Sequence, residues 1–249
     1  MDQRAQTWPA RLRRSQPVRD LRTEPRCVPP PYGPRPPRCP RSPPCCSPPP
    51  PPTPPTTGDT IALPVRDALA ALPVQDEDRT GYERTKFRHW IDADRDGCST
   101  RAEVLLAEAV TAPEQSTGCQ LTGGSWYSPY DDTYFTAARA LDIDHLVPLA
   151  EAWDSGASTW TAAERQAYAN DLDDDRALIA VSAASNRSKA DQDPTTWQPS
   201  ATGYRCTYAT DWVAIKTRWS LAVDPAEQTA ISATLGTCPN APIEVTLAR

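Results

Sequence analysis

Apolar and polar positions recur with a helical period in several parts of this chain. Apolar residues spaced three and four apart predict amphipathic helices. Segments with this spacing, or with helix start signals, are 80–92, 101–110, 161–172, 186–192, 208–221 and 225–236. Thr161 and Glu164 have the spacing of a capping box, and Asp224-Pro225 is a typical helix start. Residues 61–72 form a further short amphipathic segment.

Other segments have a strand pattern. Residues 119–149 are rich in Thr, Tyr and Trp and are interrupted by Gly123-Gly124, and residues 177–182 form a short apolar run. Taken together, the pattern predicts an α+β fold for residues 59–249: a helix-rich domain with a small β element.

The first 58 residues differ sharply from the rest. They hold 19 of the 29 prolines, ten arginines and three acidic residues, so the remaining 191 residues carry a charge of −13. A segment with so little aliphatic content cannot bury enough apolar surface to fold, which predicts a disordered Pro/Arg-rich tail. The alternative is a misassigned start, because misframed GC-rich DNA would encode a similar composition.

Four cysteines lie in the predicted domain: Cys98, Cys119, Cys206 and Cys238. None belongs to a CxxC motif, so the even set predicts two disulfides and an extracellular protein. We expect the sequential pairing, Cys98–Cys119 and Cys206–Cys238, although two other connectivities are possible. No apolar signal-peptide region is visible, and no 18-residue apolar run predicts a membrane span.

Two segments carry residues suited to chemistry. The first is Asp142-Ile143-Asp144-His145, and the second follows the strand at 177–182 and contains Asn186. If the two strands pair antiparallel and a helix packs across them, Asp144 and Asn186 can face one ion. A carboxylate and an amide oxygen suit Mg²⁺, which keeps much of its hydration. His145 would then accept a proton from water at neutral pH.

The stretches DIDHLVPLAEAWDSGA and RALIAVSAASNRSKADQDPTTW resemble the HNH endonuclease superfamily. More narrowly, they resemble the DUF1524 group, which is related to the C-terminal domain of GmrSD restriction enzymes. The resemblance implies a ββα-metal (HNH/His-Me finger) core and hydrolysis of DNA phosphodiester bonds. It also implies Asp144 and Asn186 as ligands of Mg²⁺ or Mn²⁺ and His145 as the general base. The chain has Asp in place of the first His and lacks a third His, which favours these ions over zinc.

Basic residues near the second motif are candidates for phosphate binding. Arg187 and Lys189 are expected at a helix start, where the helix dipole favours anions. A wider patch would include Arg205, Lys216 and Arg218. The charge of −13 argues against tight non-specific binding of DNA, the expected partner.

A second ion site is predicted at residues 92–103. Asp92, Asp94, Asp96 and Glu103 match the EF-hand loop spacing, with helical signals on both sides. The site would hold a structural Ca²⁺; the alternative is an Asp-capped turn that positions Cys98. A non-catalytic, calcium-binding extracellular module is therefore the main alternative function, and a toxin domain is a weaker one. DNA versus RNA preference, sequence specificity and oligomeric state do not follow from the sequence.

Overall fold

The computed structural model describes residues 54–249. The predicted tail, residues 1–58, therefore lies outside the described residues except for its last five. Within residues 54–249 no helix has both the length and the apolar character that crossing a bilayer requires.

The part of the chain that the structure describes is a mixed α+β fold with seven α-helices. They are α1 (Val65–Ala71), α2 (Thr100–Ala107), α3 (Leu149–Asp154), α4 (Ala162–Ala169), α5 (Ala183–Lys189), α6 (Arg205–Arg218) and α7 (Pro225–Gly236). Local signals explain two helix starts. Thr161 and Glu164 form the predicted capping box of α4, and Asp224 caps α7 with Pro225 in the first turn.

Nine short strands occur in the same residues. They are β1 (Thr60–Pro64), β2 (Ala109–Thr111), β3 (Glu114–Ser116), β4 (Gln120–Thr122), β5 (Ser125–Ser128), β6 (Thr133–Phe135), β7 (Leu141–His145), β8 (Leu178–Ser182) and β9 (Pro242–Thr246). All sheets are small and antiparallel: β1 with β9, β3 with β4, β7 with β8, and a three-stranded sheet in the order β2-β5-β6.

The strand pair β7–β8 and the helix that follows it position the candidate site. Asp144 is paired with Ile179 and His145 with Leu178, at the end of β7. Helix α5 begins directly after β8, where the hydroxyl of Ser182 accepts a hydrogen bond from the backbone N–H of Ser185. The expected arrangement of two antiparallel strands followed by a packed helix is therefore present in the structure.

Helix α6 forms the centre of the core. Trp212, Val213 and Ala214 are completely buried, and the helix packs against α1, α7 and β9. The apolar face predicted for 208–221 therefore lies on this helix, which begins three residues earlier than expected.

The cysteines of the described domain form the expected sequential disulfides. Cys98 is bonded to Cys119, and Cys206 is bonded to Cys238. The first joins the start of α2 to the β3–β4 hairpin, and the second joins the start of α6 to the end of α7.

The helix predicted for residues 80–92 is wrong. Only a single turn of 3-10 helix, Arg84–Lys86, forms there. Trp90 has a φ of 59°, in the left-handed region, which ends any right-handed helix. The irregular backbone lets Phe87 and Trp90 pack in different places: Phe87 lies against Trp153, and Trp90 lies against His145. These tertiary contacts outweigh the local helical period.

Candidate active site

Two carboxylates of β7 face helix α5. Asp142 and Asp144 are two residues apart on the strand and so lie on the same face of the sheet. The structure brings Asn186 to Asp142, whose Oδ2 accepts a hydrogen bond from the Asn186 Nδ2 at 3.3 Å. Both side chains are partly exposed. A carboxylate and an amide therefore meet at the surface, but the carboxylate in contact with Asn186 is that of Asp142 and not that of Asp144, which the sequence analysis expected there.

Asp144 contacts a different set of residues. It is 4% exposed, its Oδ1 and Oδ2 accept hydrogen bonds from the Lys189 ammonium at 2.9 and 2.7 Å, and Oδ2 also accepts one from the Tyr130 hydroxyl at 2.6 Å. Burial raises the pKa of Asp144 and lowers the pKa of Lys189, and the contact between the two groups offsets part of each shift. Lys189 and Asp144 therefore form a buried ion pair that links α5 to β7.

The predicted phosphate contact by Lys189 does not fit this geometry. Its ammonium group is completely buried, and it also donates to the backbone carbonyl of His145 at 3.0 Å. Arg187 and Lys189 lie in the last turn of α5, where the helix dipole is negative, and not at a helix start. Arg187 is exposed and retains access to solvent.

His145 is held in one orientation at the end of β7. Its Nε2 lies 3.0 Å from the backbone carbonyl oxygen of Ala169. Because a carbonyl only accepts hydrogen bonds, Nε2 carries the proton and Nδ1 carries the lone pair. No group among residues 54–249 forms a hydrogen bond with Nδ1 in this structure. The ring is thus oriented with one nitrogen available as a proton acceptor.

The surroundings of His145 keep it neutral. The side chain is 6% exposed, and the ring of Trp90 packs against it with centroids 5.3 Å apart. Burial lowers the pKa of His145 to about 3, although the Ala169 carbonyl opposes that shift. The left-handed φ of Trp90 places an uncommon backbone conformation directly beside the ring.

Arg84 is a charged residue of the site that sequence reasoning missed. It is exposed, and its positive charge adds to the lowering of the pKa of His145 and opposes part of the rise in the pKa of Asp144. The signal that points to it is the excess of basic residues in the segment 84–88.

The wider basic patch predicted from the sequence is also wrong. Lys216 is completely buried between Glu151 and Glu227, and Arg218 is 4% exposed and pairs with Asp171. Charged groups removed from water need such partners, because an unpaired buried charge is very costly. Of the predicted patch only Arg187 and the partly exposed Arg205 have access to solvent.

The predicted calcium loop contains three exposed carboxylates close together. One oxygen each of Asp92, Asp94 and Asp96 lie within 4.8 Å of one another. Each carboxylate also accepts a hydrogen bond from a backbone N–H of the loop. Asp92 accepts from Gly97, Asp94 from Asp96, and Asp96 from Cys98. Helix α2 follows the loop, but the entering helix of an EF-hand is replaced by the irregular segment around Trp90.

The family of the chain follows from comparison with known sequences. The family described as "GmrSD restriction endonucleases, C-terminal domain" matches residues 85–234, which include β7, β8 and α5. The chain belongs to this family. The GmrSD-type domain therefore contains His145, both carboxylates of β7 and Asn186, and its members form a nuclease-related family.

The chain is also similar to a protein of Arthroderma benhamiae. The chain is 45% identical over 158 residues, which cover 64% of this chain and 76% of the relative, to an "Uncharacterized secreted protein" of Arthroderma benhamiae. No solved structure matches this GmrSD-type chain.

Proposed function

We propose that this chain is a metal-dependent, HNH-type endonuclease that hydrolyses phosphodiester bonds of DNA. The observation that carries the proposal is the neutral, oriented imidazole of His145 on the same strand, β7, as the carboxylate of the Asp142–Asn186 pair. Membership of a restriction-endonuclease domain family supports a nucleic-acid substrate.

The donor set suits a hard divalent cation. Asp142 supplies a carboxylate and Asn186 an amide at the edge of the solvent, which leaves room for water ligands. Here Nδ2 of Asn186 faces Asp142, and rotation of the amide by 180° turns its oxygen toward the same place. When bound, Mg²⁺ or Mn²⁺ would neutralise charge on the phosphate.

The protein's own groups then have separate roles. His145 takes a proton from the attacking water at Nδ1, while the Ala169 carbonyl fixes the ring through Nε2. Arg84 and Arg187 are the exposed cations available to contact phosphate oxygens. The ion pair of Asp144 with Lys189 holds the strand against the helix.

Two carboxylates are candidates for the metal ligand on β7. The resemblance to HNH enzymes implies Asp144, whereas the observed contact with Asn186 favours Asp142. Binding at Asp144 requires its oxygens to exchange the Lys189 ammonium for the ion. The two residues are therefore tested side by side.

The test is nicking of supercoiled plasmid DNA with Mg²⁺ or Mn²⁺. We expect His145→Ala to lower the rate at least a hundredfold, the usual scale for general acid–base catalysis, and Asn186→Ala to lower it as well through loss of a metal ligand. Asp142→Asn and Asp144→Asn are compared across a metal titration, since loss of a ligand raises the metal concentration needed for half activity. Asp94→Asn is the control. Wild-type activity in His145→Ala would overturn the assignment of the base.

We also propose that the protein works outside the cell. The support is the similarity to a fungal protein described as secreted, together with two disulfides in the described domain. Thiol labelling of protein recovered from the culture medium tests this: we expect the four domain cysteines to be unreactive until a reductant is added.

A calcium-binding, non-catalytic module is the alternative function. The observation in its favour is the group of Asp92, Asp94 and Asp96. It predicts no nicking with any divalent ion and a Ca²⁺ affinity that Asp94→Asn abolishes. Metal-dependent nicking by the wild type would exclude it.

A further inference from the structure

A second group of carboxylates shares no residue with the candidate active site. A cleft of about 460 Å³ is lined by acidic residues from four parts of the chain. We define this acidic cleft by Glu77, which precedes the 3-10 turn, Glu151 on α3, Asp193 after α5, and Asp224 at the start of α7. Asp154 lies beside it on α3.

Oxygen atoms in the acidic cleft are close enough to share ions. One oxygen each of Glu77, Asp193 and Asp224 lie within 4.8 Å of one another, and so do one oxygen each of Glu77, Glu151 and Asp154. Glu77 belongs to both groups. Calcium binds oxygen at about 2.3–2.6 Å, so ligands on opposite sides of the ion are up to about 5 Å apart.

The basic residues near the cleft pair with members of only one of these two groups, that of Glu77, Glu151 and Asp154. Arg79 pairs with Asp154 and Asp191, and Lys216 pairs with Glu151 and Glu227. Within residues 54–249, no Lys or Arg forms an ion pair with the group that remains, which is Glu77, Asp193 and Asp224. Among residues 54–249, therefore, no cationic side chain offsets the negative charge of these three carboxylates.

A buried oxygen provides an independent indication of a missing ligand. The side chain of Asp154 is 1% exposed, and its Oδ1 has no hydrogen-bond partner among residues 54–249, although Oδ2 pairs with Arg79. Most buried polar atoms have a partner, and a carboxylate oxygen without one is costly. A cation or its bound water would satisfy this atom.

The close approach of these carboxylates changes the pKa of Glu77. Partial burial of its carboxyl group and the neighbouring carboxylate of Glu151 raise the pKa of Glu77 to about 7. Repulsion between these carboxylates therefore falls either when Glu77 takes up a proton or when a cation binds.

We propose that the acidic cleft is a structural Ca²⁺ site centred on Glu77. Ca²⁺ accepts six to eight oxygen ligands in flexible geometry, which suits carboxylates from four chain segments, whereas Mg²⁺ demands shorter distances and a stricter octahedron. The ion joins the segment before the 3-10 turn to α3, the loop after α5 and α7. The site is separate from the candidate active site and from the loop of Asp92, Asp94 and Asp96.

The experiment measures Ca²⁺ binding by the full chain after removal of metals with EDTA, without DNA. Isothermal titration calorimetry gives the affinity, and thermal unfolding gives the stabilisation that binding must produce. We expect Glu77→Gln to weaken Ca²⁺ binding at least tenfold and to remove the Ca²⁺-dependent rise in Tm. Asp76→Asn, in the same cleft but outside both oxygen groups, is the matched control and should bind within threefold of wild type.

A second readout compares the stability of Glu77→Gln with that of wild type, first in EDTA and then with Ca²⁺. The sign of the difference should change between the two conditions. At pH 8 without metal, Glu77→Gln should be at least as stable as wild type because it removes a repelling charge. With Ca²⁺ the order should reverse. A merely structural role for Glu77 would lower stability in both conditions and would overturn the proposal.

Three other results would overturn the proposed Ca²⁺ site. An unchanged wild-type Tm on addition of Ca²⁺, or an equal effect of Mg²⁺ at the same concentration, would overturn the site. Loss of Ca²⁺ binding in Asp94→Asn but not in Glu77→Gln would assign the ion to the Asp92–Asp96 loop. None of these results depends on nuclease activity.

Discussion

At the residue scale, three lysine and arginine side chains are buried with acidic partners. Lys189 is bonded to Asp144, Lys216 to Glu151 and Glu227, and Arg218 to Asp171. Such pairs add little net stability when they are complete, but the loss of one partner is costly. Their role here is to fix helices α5 and α6 against the elements that carry the acids.

The pair of Lys189 and Asp144 gives a prediction on stability. Lys189→Met leaves a buried carboxylate with the Tyr130 hydroxyl as its remaining side-chain donor, so we expect the free energy of unfolding to fall by about 3–5 kcal/mol. Urea unfolding measures this change. Glu83→Gln, which breaks an exposed pair with Lys86, is the control and should cost less than about 1 kcal/mol. Equal effects of the two substitutions would contradict burial of the Lys189 charge.

His145 gives a prediction on pH dependence. Its folded-state pKa of about 3 lies below the ordinary 6.5, so the unfolded chain binds the proton first as pH falls. The stability due to the neutral ring is present above pH 6.5 and is lost progressively toward pH 3. At pH 5 the loss is roughly 2 kcal/mol relative to pH 7, because each unit corresponds to about 1.4 kcal/mol.

The measurement compares wild type with His145→Gln by urea unfolding at pH 5 and pH 7. The variant should lose less stability than wild type over this interval, since glutamine does not titrate. An equal loss of the free energy of unfolding in the two proteins would show that the pKa of His145 is not lowered in the folded state.

At the element scale, short-range signals set the starts of α4 and α7, and a disulfide links α6 to the end of α7. The capping boxes of α4 and α7 satisfy backbone N–H groups at their first turns. Cys206 at the start of α6 is bonded to Cys238, just after α7, so the two helices are closed into one loop.

The Cys206–Cys238 bond gives a prediction on stability at this scale. The two cysteines are 32 residues apart, and the chain-entropy relation predicts a stabilisation of about 3–4 kcal/mol. Cys206→Ala with Cys238→Ala should lower the free energy of unfolding by that amount in urea. The Cys98–Cys119 pair, 21 residues apart, is the comparison and should contribute about 3 kcal/mol. No change on removing either pair would show that the unfolded chain is already constrained.

At the scale of the whole molecule, charge is distributed unevenly. Residues 59–249 carry −13, and burial of Lys189, Lys216 and Arg218 leaves few cations at the surface near the candidate active site. A nuclease built on such a domain cannot hold DNA by a broad basic surface. Binding must depend on a few contacts such as those proposed for Arg84 and Arg187.

Salt dependence tests this expectation. Each phosphate contact contributes a slope of about −0.9 to the logarithm of the binding constant against the logarithm of the salt concentration. We expect Arg84→Ala with Arg187→Ala to reduce the slope by about 1.8, measured by fluorescence anisotropy with DNA in a His145→Ala background. Lys216→Met, at a buried site, should leave the slope unchanged. An unaltered slope in the double variant would place the phosphate contacts elsewhere.

The sequence by itself determined features that depend on neighbours along the chain. The helix caps at Thr161 and Asp224 and the strand at 177–182 follow from local periodicity and hydrogen bonding. The motif around His145 and Asn186 was enough to indicate the family. The sequential disulfides were the preferred pairing of three, and the structure has them.

Only the tertiary structure decided which charged groups are buried and which polar groups meet. Lys189 and Asp144 are 45 residues apart in sequence, and Asn186 and Asp142 are 44 apart, so no local pattern specifies these contacts. The segment 80–92 has a helical period, yet packing of Phe87 and Trp90 in separate places prevents the helix. Burial is a property of the assembled core, and its energy exceeds the small local preferences that a sequence pattern records.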